Sequence, residues 1–144
     1  MKETAQKLTT AIDEFLTRKA QFINWETQAA PGKWTNKQII GHLIDSAHIN
    51  LQRFVRCTYE EGFKLIYFQE EWVVAQHYQD ADISELLKLW GLVNLQIARV
   101  LANYPAERVQ IKCDNGRYEA SFNTVAFLAE DYIEHMQHHL KQLI

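Results

Sequence analysis

Two capping boxes constrain this chain more than any other feature. In Thr35-Asn36-Lys37-Gln38 and Asp82-Ile83-Ser84-Glu85, a short polar side chain stands three residues before a glutamine or glutamate. In that pattern each side chain satisfies a backbone N–H that a helix start leaves unpaired. Behind the first box runs IIGHLIDSAHINLQRFVRCTYEE, expected to end at Gly62, a natural helix stop. Behind the second runs LLKLWGLVNLQIARVLANY, which Pro105 stops. Apolar residues recur at spacings of three and four in both. The same period runs from about Glu3 to Asn24, through Leu8, Ile12, Phe15, Leu16, Phe22 and Ile23, and again from the Asn123-Thr124 cap to the end of the chain. The connections are also readable. Pro31-Gly32 marks a turn between the first two helices. FKLIYFQEEWVVAQHYQDA is a long link with one short helix around Glu70 to Gln76. RVQIKCDNGRYEASF alternates at Val109, Ile111 and Cys113, turns at Asp114-Asn115-Gly116, and alternates again at Tyr118, Ala120 and Phe122, which predicts a β-hairpin. The expectation is an all-α four-helix bundle, one domain over residues 1–144, with a small hairpin before the last helix.

Composition removes several function classes. A net charge of −3 without a basic run argues against nucleic acid as a partner. No stretch of eighteen or so apolar residues exists to span a membrane, and MKETAQKLTTAIDEF lacks the apolar core of a signal peptide. Cys57 and Cys113 match no close-spaced metal or redox motif, so they read as buried free thiols of a cytoplasmic protein.

The chemistry concentrates in EHMQHHLKQLI, which holds three of the six histidines. At roughly 100° per residue, Val125, Leu128, Ala129, Tyr132, Ile133, Met136, Leu140 and Leu143 form one apolar stripe. His139 falls inside it and His135 on its edge, while His138 faces solvent among Glu130, Asp131, Glu134 and Lys141. His135 and His139, four apart, stack on one face, where two imidazoles can reach one metal ion if another element supplies a third ligand. The plain alternative is a pair of half-buried histidines hydrogen-bonded within the fold. The third-ligand candidates are His42, His48 and His77. In the second helix the stripe centres on Ile40, Leu43, Ala47, Leu51 and Phe54. His42 lies well to one side of it with Ser46, Ile49 and Arg53, so periodicity ranks it no higher than His48. Gly41, costing roughly 1 kcal/mol in a helix interior relative to alanine, asks for a packing or functional reason.

Three stretches resemble one family in order and spacing. PGKWTNKQIIGHLIDSAHINLQRF is similar to the N-terminal signature of the DinB-like (YfiT-like) metalloenzyme superfamily, EEWVVAQHY to its middle segment, and FLAEDYIEHMQHHLKQLI to its last helix. The resemblance implies an up-down-down-up bundle with a divalent metal between helices. Its ligands would be the histidine of the GHL motif and two histidines four apart, here His42, His135 and His139. It also implies glutathione-independent thiol chemistry, such as bacillithiol- or mycothiol-dependent transfer or isomerisation, although many members have no established reaction. Ala47 departs from the acidic residue that many relatives carry there.

Three neutral imidazoles leave coordination positions open, the mark of a catalytic site, and nitrogen ligation suits zinc or nickel. Such an ion lowers the pKa of a coordinated water toward about 7, or that of a thiol cofactor. Asp45 and Asp131, each near one of these histidines in sequence, are candidates to orient the rings of His42 and His135, with solvated charges as the plain reading. The expected function is a metal-dependent enzyme acting on a small molecule, by S-transfer with a low-molecular-weight thiol or by hydrolysis. The alternative is a non-catalytic metal- or ligand-binding bundle. A homodimer paired along helix faces is compatible with a bundle of this size. Trp34, Trp72 and Trp90 are candidates for a pocket wall or, more simply, for core anchors, and His77 and Tyr78 for a cover over the metal.

Overall fold

The computed structural model describes residues 1–143. Five α-helices form: α1 (Lys2–Glu14), α2 (Asn36–Arg56), α3 (Gln69–Gln76), α4 (Ile83–Ala102) and α5 (Val125–Gln142). Two short strands, β1 (Lys112–Asp114) and β2 (Phe122–Thr124), pair antiparallel just before α5. The long helices α1, α2, α4 and α5 make the bundle. Both α1 and α2 pack against α4 and α5, so α1 and α2 stand diagonally opposite each other. The core between them is built from Leu8, Ile12, Ile40, Leu43, Phe54, Trp90, Ile97 and Met136, all buried.

The helix starts follow the local chemistry. The Thr35 hydroxyl accepts from the Gln38 N–H at 3.1 Å, and the Gln38 side chain accepts from the Thr35 N–H at 2.9 Å, closing the box. Asp82 accepts from the N–H groups of Ser84 and Glu85, and Thr124 from that of Phe127. Helix ends were less faithful to local signals. The first helical stretch reaches Phe22, but through a turn of π-helix at Phe15–Lys19 and a 3₁₀ turn at Ala20–Phe22.

Helix α2 stops at Arg56, six residues short of the expected Gly62. The reason is tertiary: the Gly62 N–H donates to the Lys112 carbonyl at 2.9 Å, so the chain leaves the helix axis to join the hairpin, and Gly62 takes its positive φ in that connection. The hairpin is also smaller than expected. Asp114 Oδ1 collects the N–H groups of Gly116 and Ser121, which closes a loop over 115–121, and Tyr118 is exposed rather than paired. Trp90 sits in the core edge-to-face with Phe15 and belongs to no pocket wall.

Gly41 has a packing reason. A Cβ there would lie 2.1 Å from Cδ2 of Tyr78, so the missing side chain is what lets the buried Tyr78 ring rest on α2. The Tyr78 hydroxyl then donates to Asp45 Oδ1 at 2.5 Å, one turn farther along α2. That contact fixes α3 and the link after it against the helix that carries His42.

Candidate metal centre

Helix α2 buries two faces. Besides its apolar stripe it buries His42, Ser46, Asn50 and Arg53, at spacings of four, four and three, so they share one side. That polar side meets α5 and the segment around Tyr67. His42 is 1 % exposed, whereas His48 is half-buried and His77 exposed, so the structure separates candidates that periodicity left level. His135 and His139 reach the same place from α5, and one nitrogen from each of the three rings lies within 4.8 Å of the others. Ring centroids are 5.3 Å apart for His42–His135, 4.9 Å for His42–His139 and 4.6 Å for His135–His139.

Two of the three rings are held by groups that sequence reasoning missed. His42 Nδ1 is 2.9 Å from the Tyr67 hydroxyl, and the two rings stack at an interplanar angle of 8°. Tyr67 is brought there by its backbone: Lys64 bridges to Asp114, and the Leu65 carbonyl accepts from Arg53 Nη2 at 2.8 Å. His139 Nδ1 lies 3.1 Å from Gln142 Oε1, and Gln142 Nε2 lies 2.9 Å from His138 Nε2. His138 is exposed as expected, but it supports His139 through Gln142. Gln142 stands three residues after His139, a spacing visible in sequence. Tyr67 carries no such signal, because its approach depends on a tertiary bridge.

The carboxylates behave differently from the expectation. Asp45 does not orient His42: its Oδ1 accepts from Tyr78 and from Gln76 Nε2 at 3.2 Å, and its Oδ2 is buried without a hydrogen bond. Side chains one turn apart on a helix still diverge when one neighbour, here Tyr78, claims the carboxylate. Asp131 is exposed and acts on His135 through its charge, which favours the protonated ring.

Electrostatics keep the cluster neutral. Burial, followed by the neighbouring His139 and His135 rings, lowers the His42 pKa to about 3. Burial, then His135, lowers that of His139 to about 4, and burial lowers that of His135 despite Asp131. Neutral imidazole is the ligating form. The donor set therefore fits a divalent ion, and one atom states the fit most directly. Nε2 of His42 is buried and makes no hydrogen bond. In the tautomer whose Nδ1–H donates to the Tyr67 hydroxyl, that nitrogen carries a lone pair for a metal ion, the arrangement expected of a metal-ligating histidine.

Two cavities meet at the cluster. A cleft of about 770 Å³ is lined by Trp34, Ile39, Glu70 and His139 among others. A smaller polar pocket of about 150 Å³ is lined by His42, Ser46, Asn50, Arg53, Tyr67 and His135 among others. Trp34 tilts over His42 with centroids 5.1 Å apart and lines the cleft, while Trp72 packs edge-on against Tyr67 at 5.9 Å and lines neither cavity. Tyr78 packs on the back of α2, and His77, exposed at φ 50°, ends α3, so neither covers the cluster.

The comparisons agree with this architecture. No curated protein sequence matches the chain. Among solved structures it is similar to YfiT from Bacillus subtilis, described as a probable metal-dependent hydrolase with an unusual four-helix bundle topology. The TM-score is 0.81 at 18% identity, covering 99% of this chain and 81% of that one, a likeness that establishes the fold. No described helix is long and apolar enough to cross a membrane. A family model, the DinB superfamily, matches residues 2–143. With that match over nearly its whole length, and with the bundle and histidine cluster in place, the chain belongs to the DinB superfamily.

Proposed function

We propose that this chain is a metal-dependent hydrolase of a small molecule, with His42, His135 and His139 as the protein ligands of one divalent ion, zinc or nickel. The observation that carries the reading is the buried, unpartnered Nε2 of His42 facing two neutral imidazoles from another helix. When bound, such an ion supplies Lewis acidity and lowers the pKa of a coordinated water or thiol. The chain's own residues do the rest. Tyr67 and Gln142 contact Nδ1 of His42 and His139, which leaves Nε2 of each ring for the ion. Trp34 walls the site with apolar surface, which strengthens electrostatic interactions within it. The cleft at His139 is of the size that admits a small substrate. Asp131 lines the pocket beside His135, where its charge partly offsets the burial that lowers that ring's pKa. The description of YfiT as a probable metal-dependent hydrolase supports the same chemistry.

Water is the nucleophile available without a cofactor, and a low-molecular-weight thiol entering by the cleft would turn the same centre to S-transfer. The test is turnover of activated esters and amides by zinc- or nickel-loaded protein, with and without added thiol, and with His42→Ala as control. Hydrolysis that needs metal and no thiol is expected. Turnover only with thiol replaces hydrolysis by transfer. Stoichiometric metal without turnover in either arm favours the non-catalytic binding bundle.

A further inference from the structure

The polar pocket beside the histidines contains a cation whose role the metal centre does not explain. Arg53 is 8 % exposed on α2, eleven residues after His42. Its guanidinium has five N–H donors. Nη2 donates to the Leu65 carbonyl at 2.8 Å and Nη1 to Asn50 Oδ1 at 3.4 Å, while Nε is buried with no hydrogen bond. Among the described residues, no carboxylate oxygen lies within ion-pair distance of it. Asp131 on the pocket wall acts on it only through space; a buried charge without an ion-paired partner is costly, and proteins keep one where something anionic completes it. The pocket adds neutral hydrogen-bonding groups around that charge, from Ser46, Asn50, Tyr67, Gln69 and Asn115.

We infer that Arg53 and the groups around it form a subsite for a carboxylate, which anchors the small substrate with its reacting bond at the histidine cluster. The size of the pocket, about 150 Å³, suits a group of a few atoms. The charge on its walls selects the class. Arg53 is the cation there and Asp131 the anion, so a planar monoanion is matched while a phosphate dianion meets the Asp131 carboxylate. His42 and His135 line the same pocket, so the anchored group lies next to the proposed ligands. The inference rests on the proposed metal-centred reaction for calling the anion a substrate, and not for the binding itself.

The test uses full-length protein, both stripped of metal and loaded with zinc, titrated with acetate against salt-matched chloride and against inorganic phosphate. The side-chain Nε–H signal of Arg53 is followed by NMR, and metal content is measured separately. Saturable movement of that signal with acetate, weaker by about tenfold or more in Arg53→Lys, is expected. Asn50→Asp is the second variant. It places a carboxylate beside Nη1 with little change of shape and is expected to abolish acetate binding by supplying an internal counter-ion. Acetate binding equal to that of chloride overturns the subsite, as does binding unchanged in folded Arg53→Lys or in Asn50→Asp. Phosphate binding as tight as acetate overturns the monocarboxylate class. Acetate bound by protein that takes up no metal leaves the subsite standing and removes the metal-centred reading alone.

Discussion

Replacing Gly41 with alanine tests how α2 is held behind the metal centre. The added methyl would meet Cδ2, Cγ and Cε2 of Tyr78 at 2.1, 2.3 and 2.5 Å. Carbon atoms rest about 3.5–4.0 Å apart, so the ring must retreat by more than an ångström. Tyr78 has little freedom to do so, being 5 % exposed and bonded through its hydroxyl to Asp45. Overpacking of this kind costs about 1–3 kcal/mol, and breaking the charge-assisted Tyr78–Asp45 bond adds roughly 1.5–3 kcal/mol if the ring swings away. Alanine returns about 1 kcal/mol through its better helix propensity. With the ring displaced, the net loss expected is about 1.5–5 kcal/mol, or roughly 3–20 °C in Tm for a domain of this size. Urea unfolding of four proteins measures it: wild type, Gly41→Ala, Tyr78→Ala and the double variant. With the ring gone, Gly41→Ala should become stabilising by up to about 1 kcal/mol. The packing account fails if alanine is neutral in the wild-type background, or if it destabilises both backgrounds equally.

Three further outcomes follow from the site. Tyr67→Phe removes the partner of His42 Nδ1 and should weaken zinc binding about tenfold, read by competition with a chelator, while leaving the stoichiometry intact. His138→Ala should keep full metal stoichiometry, because His138 is exposed and stands outside the group of three ligating nitrogens, whereas His139→Ala should lose it. Metal-free protein should lose stability as pH falls below about 6.5. The unfolded chain binds protons at His42 and His139 there, while the folded chain resists until about pH 3 and 4, so the unfolded state holds more protons throughout that interval. Urea midpoints between pH 7.5 and 5 check this, and the fall should flatten in a His42→Gln/His139→Gln variant.

How much of this could be read in advance differed by level. Helix starts were legible because caps are local: Thr35, Asp82 and Thr124 each bond to backbone within three residues. The end of α2 was not, because Gly62 is pulled to Lys112 by a contact fifty residues away in sequence. The inward pair His135 and His139 followed from one apolar stripe. His42 did not, because a helical wheel centred on one stripe treats everything off it as solvent-facing, and α2 buries a polar side as well. The sequence cue was present in the run His42, Ser46, Asn50 and Arg53, whose spacing is as helical as that of the leucines and isoleucines. Tyr67 and Asp45 show the limit of such reading. One reaches His42 from an irregular segment, and the other, though one turn away on the same helix, is claimed by Tyr78.

The central claim is that three imidazoles from α2 and α5 hold one divalent ion. Elemental analysis of untagged protein, after loading with zinc or nickel and removal of free metal, tests it most directly when wild type is compared with folded His42→Ala. One ion per chain in wild type, and its loss in the variant, is the predicted result. No bound metal in wild type, or undiminished metal in His42→Ala, would contradict it.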